Sequence, residues 1–485
     1  MPRVQLPISN GFYESRSLLI SGQRCTNLYP HINRLPSFAQ ESLYGTPGII
    51  QLASSGGPTE ANRGGHEMAG IAYFVNGTTL YRLNRNLTSQ GAESFDLEAL
   101  GTIEGNTRVS MADNGSQLCV LVPGGKGYIY NSGASPSFQE ITDPDFRANG
   151  NPEFVRYVDG YFVFNTDQDL FIVSALNDGL SYNALDFGSA EADPDGIITP
   201  VVLRNELYLA GRYTLEPFRN VGGADFPFAR LEGGVINVGC LSPFSVVNVA
   251  QTFMFIGGSE NDNPAVYAFT GSGVEEISTD AINFLLEQLA PEQLDNVFGW
   301  FYSEGGARFV GWTLPTKTIV YDLTSQRWHE RSSFAVQNGT TANTRWRVNS
   351  IVQAYNRLIV GDFIDGRVGE LNLDIYTEYD QPIVREITTQ PFNNQTDRIL
   401  VPWVELVCEA GVGNNVEQNP KISMARSTDG VSFGSPRTLL VGKKGRYEQR
   451  TIWRRCGRAA RQEVFRWTMS DPVKWVLIAA WAEIK

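Results

Sequence analysis

YFVFNTDQDLFIVS, residues 161–174, sets two runs of aromatic and β-branched residues on either side of a polar turn. Such runs favour strands, and the polar residues between them favour a reversal, so the stretch reads as a β-hairpin. Six more stretches have the same form. They are IAYFVNGTTLYRL (71–83), LCVLVPGGKGYIYN (118–131), LYLAGRYTLEPFR (207–219), FMFIGGSENDNPAVYAFT (253–270), RFVGWTLPTKTIVYDLTSQRW (308–328) and LIVGDFIDGRVGELNL (358–373). In chain order their starts lie 47, 43, 46, 46, 55 and 50 residues apart. Turn pairs such as Asn76-Gly77 and Asp365-Gly366 supply the reversals.

A strand-built repeat of this length is the mark of propeller blades. One small sheet cannot bury both of its faces, whereas a ring of stacked sheets can. Seven units are countable, and six is the alternative count. VYDLTSQRWHE (320–330) resembles the last strands of a kelch-like blade, with Trp328 after the turn. The widest interval contains STDAINFLLEQLAPEQLDNVFGWF (278–301). There Ser278, Thr279 or Asp280 can cap a helix whose apolar face is Ile282, Leu285, Leu286 and Leu289. Pro291 ends that turn and starts another, so the spacing predicts a helical insertion near 278–298. The expected division is an N-terminal arm over 1–50, a propeller over 51–375 and a C-terminal antiparallel β domain of the sandwich type over 376–485. The fold class is all-β.

Composition agrees with many short strands: 48 Gly, 24 Pro, 9 Trp, 19 Tyr and 27 Phe in 485 residues. No secretory leader pattern opens the chain, and the longest clean apolar run, WVLIAAWA (475–482), is far shorter than the ~20 residues of a membrane helix. Cys25, Cys119, Cys240, Cys408 and Cys456 form no CxxC pair and read as reduced, buried thiols. Three histidines without ligand spacing give metal chemistry no support, and no cofactor motif is present. A GxSxG elbow is also lacking. STDGVSFG, with Asp429 and Gly430, approximates the Asp-box turn of sialidases, but it is a single copy outside the repeats and reads as a tight turn. Catalytic, cofactor and metal residues are therefore assigned to none. A pair of carboxylates in the propeller funnel, hydrolysing a glycan, is the alternative, together with a glycan-binding module.

Charge is unevenly spread. Residues 421–485 hold 14 Lys and Arg against 5 Asp and Glu, a net of +9, while the other 420 residues carry −22. WRRCGRAARQEVFRW (453–467) concentrates the basic excess in Arg454, Arg455, Arg458, Arg461 and Arg466. Gly457 and the β-rich surroundings argue against a helix. Arginines between Trp453 and Trp467 suit phosphate contacts with base stacking, but they also suit protein–protein anchors. The deep negative charge elsewhere opposes binding to a polyanion, so an assembly interface is the favoured reading. Its candidate residues are Trp453, Arg454, Arg455, Gly457, Arg458, Arg461 and Arg466.

Several segments, in order, resemble the packaged-DNA stabilisation proteins, the tail hub or nozzle subunits of short-tailed phages. CTNLYP (25–30) and LYGTPGI (43–49) match the family's opening arm. TRVSMADNG (107–115), VRYVDGYFVF (155–164), DPDGIITPVVLRNELYLAG (193–211) and GGVINVGCLSPFSV (233–246) match successive blade motifs, followed by the helical insertion and TIVYDLTSQRW. The family's final W-R-x-x-G-R-x-R falls on Trp453, Arg454, Gly457 and Arg458; Ala460 stands where the family has its last arginine, and Arg461 comes one residue later. The resemblance implies a virion tail protein made in the host cytoplasm, not secreted and not an enzyme. It further implies a ring of six copies below the portal–adaptor ring, with tailspikes or fibres and a tail needle or plug as partners. DNA would pass through the channel without sequence-specific binding.

Overall fold

The computed structural model describes residues 3–33, 39–87, 91–190, 192–223, 226–337, 340–393 and 397–485. All seven hairpins form, and each supplies the middle of one sheet in a seven-bladed propeller. Blade 1 runs from Asn62–Met68 to Glu93–Thr102, blade 2 from Ser110–Asp113 to Ser137–Glu140, and blade 3 from Pro152–Val158 to Asp178–Ser189. Blade 4 runs from Ile197–Leu203 to Phe228–Arg230 and blade 6 from Phe298–Glu304 to Arg327–Gln337. Blade 5 has a broken first strand: Gly239–Cys240 and Val247–Val249 both pair with Thr252–Gly258.

Blade 7 takes only three strands from its own stretch, Val348–Ala354, Arg357–Asp362 and Arg367–Asn372. The fourth is Gly48–Ser54, antiparallel to Arg367–Asn372 with Leu371 opposite Ile49. The N-terminal segment, expected as an arm outside the repeats, thus closes the ring. First strands of neighbouring blades pack around the axis. The last and first blades meet where Ser350 Oγ donates to Asn62 Oδ1 at 2.8 Å. Apolar side chains between consecutive sheets, such as Val155, Phe162 and Phe164 against Cys119, Leu121 and Ile129, fill the core.

The turn after Tyr321 shows why these hairpins form. Asp322 accepts from Thr324 N at 2.9 Å and from Ser325 Oγ at 2.6 Å, Gln326 takes a positive φ of 57°, and Trp328 returns to pack tilted against Tyr321, ring centroids 5.1 Å apart. Helices Asp280–Glu287 and Pro291–Leu294 form the insertion between blades 5 and 6. Ile282 and Leu286 are buried there, and Leu285 and Leu289 pack partly against the same cluster.

The C-terminal body is a two-sheet sandwich, and the N-terminal segment supplies strands to both sheets. One sheet has the order Leu28–Ile32, Glu41–Gly45, Val476–Glu483, Ile399–Cys408, Thr451–Ala459, with Arg3–Leu6 also paired to Val476–Glu483. The other comprises Gly22–Thr26, Arg385–Thr388, Gln462–Met469, Lys421–Ser427 and Arg437–Leu440. This second sheet continues into blade 6, because Gly22–Thr26 lies parallel to Arg327–Gln337 and Asn27 N donates to the Glu330 carbonyl at 2.9 Å. Glu330 is buried at this seam. Arg24 Nε lies 2.9 Å from its carboxylate, Thr26 Oγ1 3.1 Å and Lys317 Nζ 3.6 Å.

Candidate assembly interface

Thr451–Ala459 is the edge strand of the first sandwich sheet. It pairs with Ile399–Cys408 in a register that places Val401 opposite Gly457 and Trp403 opposite Arg454, so Pro402 faces both Arg455 and Cys456. Proline has no N–H for the ladder, and the bulge falls at that point. Arg455 adopts φ 57° and Gly457 φ 94°. Strict alternation would bury one of two consecutive residues; the bulge instead exposes both Arg454 and Arg455 while Trp453, Cys456 and Ala459 point into the core. Arg458 and Arg461 are exposed farther along. Among the described residues, none of these four side chains has an ion-pair partner. Edge arginines of this kind also discourage strand addition by another chain.

The other three predicted residues have different positions. Trp453 is 1% exposed and its Nε1 donates to the Arg437 carbonyl at 2.7 Å. Trp467 is also fully buried, so neither indole offers a face for base stacking. Gly457 makes room for Arg426: a Cβ there would lie 2.4 Å from Arg426 Nη1. Arg426 grips the buried Glu463 with Nε at 2.5 Å and Nη2 at 2.6 Å, and Nη2 also donates to the Arg458 carbonyl at 3.1 Å. Burial pushes the Glu463 carboxyl above the usual range, against the pull of Arg426. Arg466 belongs to the second sheet, stacked 3.5 Å from the Phe433 ring centroid and 3.8 Å from Glu386. The structure therefore leaves Arg454, Arg455, Arg458 and Arg461 exposed along one edge strand and the turn after it, with Trp453 buried and Gly457 half-buried in the same strand and Arg466 on the other sheet.

Sequence reading missed the neighbours of this edge. Arg437, exposed, donates to the Arg454 carbonyl at 2.7 Å and clips the two sheets together. Beside it, Arg3, Trp403, Glu405, Val407, Arg450 and Trp481 line a depression of about 570 Å³ on the outer sheet face. Arg450 pairs with both Glu405 oxygens at 2.7 Å, and Arg3 lies 5.6 Å from the Trp403 ring centroid. A signal was present: in VPWVELV (401–407) Trp403 shares the polar face with Glu405.

Elsewhere, the STDG stretch is a tight turn: Asp429 Oδ1 accepts from Ser432 N at 2.7 Å, Ser427 Oγ at 2.8 Å and Val431 N at 2.9 Å. The five cysteines are free thiols, four of them buried, and burial pushes Cys240 up to about 11. Among the described residues no cluster of three or more His, Cys, Asp or Glu is arranged to hold a metal, and no helix is long and apolar enough to cross a membrane.

Comparison with known proteins places this geometry. Residues 4–376 match the family described as Bacteriophage P22 Gp10, beta-propeller, and residues 384–485 match Bacteriophage P22 Gp10, beta-sandwich. The tail hub protein gp10 of Salmonella phage P22 is 23% identical over 407 residues, covering 81% of this chain and 82% of that protein. Among solved structures, the WD40 beta propeller domain of Doa1 is 11% identical and covers 67% of this chain and 97% of its own, with a TM-score of 0.40. For the N-terminal domain of Nup159 the values are 11%, 73%, 99% and 0.41. With both of its bodies matched in order, this chain belongs to the Bacteriophage P22 Gp10 family.

Proposed function

We propose that this chain is a tail hub protein of a short-tailed phage, a structural part of the virion tail. The observation that carries the reading is the ordered match of propeller and sandwich to one phage family, joined to a relative named as a tail hub over 82% of its length. In finer detail, the hub extends the DNA exit channel below the portal–adaptor ring, helps to retain packaged DNA, and docks tailspikes or fibres and a tail needle. Six copies form the ring through heterologous contacts. The −22 charge of residues 1–420 supports this, since a negative wall lets a DNA backbone slide without sticking. The unpaired arginines of the sandwich edge support contact with acidic surface on the adaptor or on the next copy.

The test is the mass of the purified chain, alone and mixed with the portal–adaptor complex of its own virion. The expected result is a chain that joins the complex in about six copies. A chain that ignores the adaptor, whatever its own mass, overturns the reading.

A further inference from the structure

At the end of the propeller axis where the first strands begin, a cavity of about 400 Å³ lies between blades 1, 6 and 7, the link into blade 2 and the short helix Pro291–Leu294. Two guanidinium groups face it. Arg108 lies 3.7 Å from the Phe298 ring centroid and donates from Nη2 to the Asn349 carbonyl at 2.6 Å. Arg345 lies 3.9 Å from the Phe363 centroid and 5.7 Å from that of the same Phe298. Among the described residues lining the cavity there is no Asp or Glu. The carboxylate that Arg345 feels, Asp362, is committed to Arg347 Nε at 2.7 Å. A third arginine, Arg63, is used up within the fold, donating to the carbonyls of Thr107 at 2.7 Å, Gly77 at 2.9 Å and Glu104 at 3.0 Å.

Two like charges held on one aromatic ring and partly out of water raise each other's energy. Burial, with Arg345 adding to it, lowers Arg108 to about 9, and burial lowers Arg345 to about 10. In a chain of net −13, a carboxylate partner would be easily supplied, yet none of the described lining residues is one. Gln293 Oε1 accepts from Ala290 N at 3.0 Å, which leaves its NH2 as the donor to the cavity side. Two guanidinium forks and the Gln293 amide, arriving from three different elements, suit a tetrahedral group whose three or more oxygens point in different directions.

We propose that this cavity binds a phosphate-class oxyanion, either the free ion or a phosphomonoester, between Arg108 and Arg345. The test uses the full chain at low salt, with inorganic phosphate and glucose 6-phosphate as probes and chloride at matched ionic strength as control. Calorimetry should give one saturable site per chain, and the melting temperature should rise with ligand concentration. Arg345→Met, which removes one of two repelling cations, should melt no lower than the parent without phosphate. It should bind phosphate at least about tenfold more weakly, as loss of a charged hydrogen-bond partner implies. Arg108→Met should weaken binding likewise, and R454A/R458A/R461A, altered only on the sandwich, should respond as the parent does. Tighter binding of the ester points to an esterified ligand; equal or weaker binding points to the free ion. No saturable response in the parent, or an undiminished response in Arg345→Met, overturns the proposal.

Discussion

Gly457 does at the residue scale what no other side chain could do in its place. It holds φ 94° and leaves the 2.4 Å that a Cβ would take from Arg426. Gly457→Ala should therefore strain the backbone and loosen the Arg426–Glu463 pair, lowering stability by about 2–4 kcal/mol in urea unfolding. Arg458→Ala, one position on but exposed, should change it by less than about 0.5 kcal/mol. Asp429 gives a prediction in pH. The N–H groups of Ser432 and Val431 and the Ser427 hydroxyl hold its carboxyl well below the usual range. A depressed acid stabilises the fold above its unfolded pKa and loses that contribution as pH falls. Asp429→Asn should thus have a lower urea midpoint than the parent at neutral pH, with the gap closing below about pH 4. The exposed arginines were legible from charge and strand pattern. The burial of Trp453 was not, since a tryptophan beside arginines reads as well for a surface anchor as for a core residue. Nor was the task of Gly457, since its partner Arg426 sits on the other sheet.

Elements show the same division. The middle strands of every blade declare themselves, because alternating apolar residues and a local turn are enough to define a hairpin. Gly48–Ser54 does not, because it pairs with Arg367–Asn372 from the far end of the propeller and its own pattern is only half buried. Long-range pairing of this kind is not written in any short window. Ile49 is 1% exposed in that strand, and Ile49→Ala should cost about 2–4 kcal/mol, read in chemical denaturation, although in sequence it lies far from the hairpin it completes. The seam between blade 6 and the sandwich was equally hidden, since Glu330, Arg24 and Lys317 come from distant segments. Because one sheet runs through both bodies, the parent should melt in a single calorimetric transition. Glu330→Ala removes the carboxylate that Arg24 and Lys317 share, while Arg24 keeps Glu386 at 3.7 Å and Lys317 keeps Glu14 at 3.1 Å. It should cost about 1–3 kcal/mol, as loss of hydrogen bonds to a buried charged group does, and split the melt into two steps.

Over the whole molecule, the acidic body and basic end make opposite charges available to different neighbours. If the arginine edge meets acidic surface, binding to the portal–adaptor complex should weaken steeply as sodium chloride rises. R454A/R458A/R461A should lose that binding, measured by mass, while keeping its melting temperature within a few degrees of the parent. The division into a ring and a sandwich was readable from the period of the hairpins and from where that period stops. What the period does not contain is how the N-terminal strands are shared: Arg3–Leu6 lies against Val476–Glu483, and Gly48–Ser54 completes blade 7. On the ribosome, Arg3–Leu6 must therefore wait for Val476–Glu483, made far later. The ring has its last strand once Arg367–Asn372 is made, but the sandwich waits for Val476–Glu483, so a product that stops between them has an unfilled sandwich to betray it to proteases. It has no finished subunit with which to poison a particle.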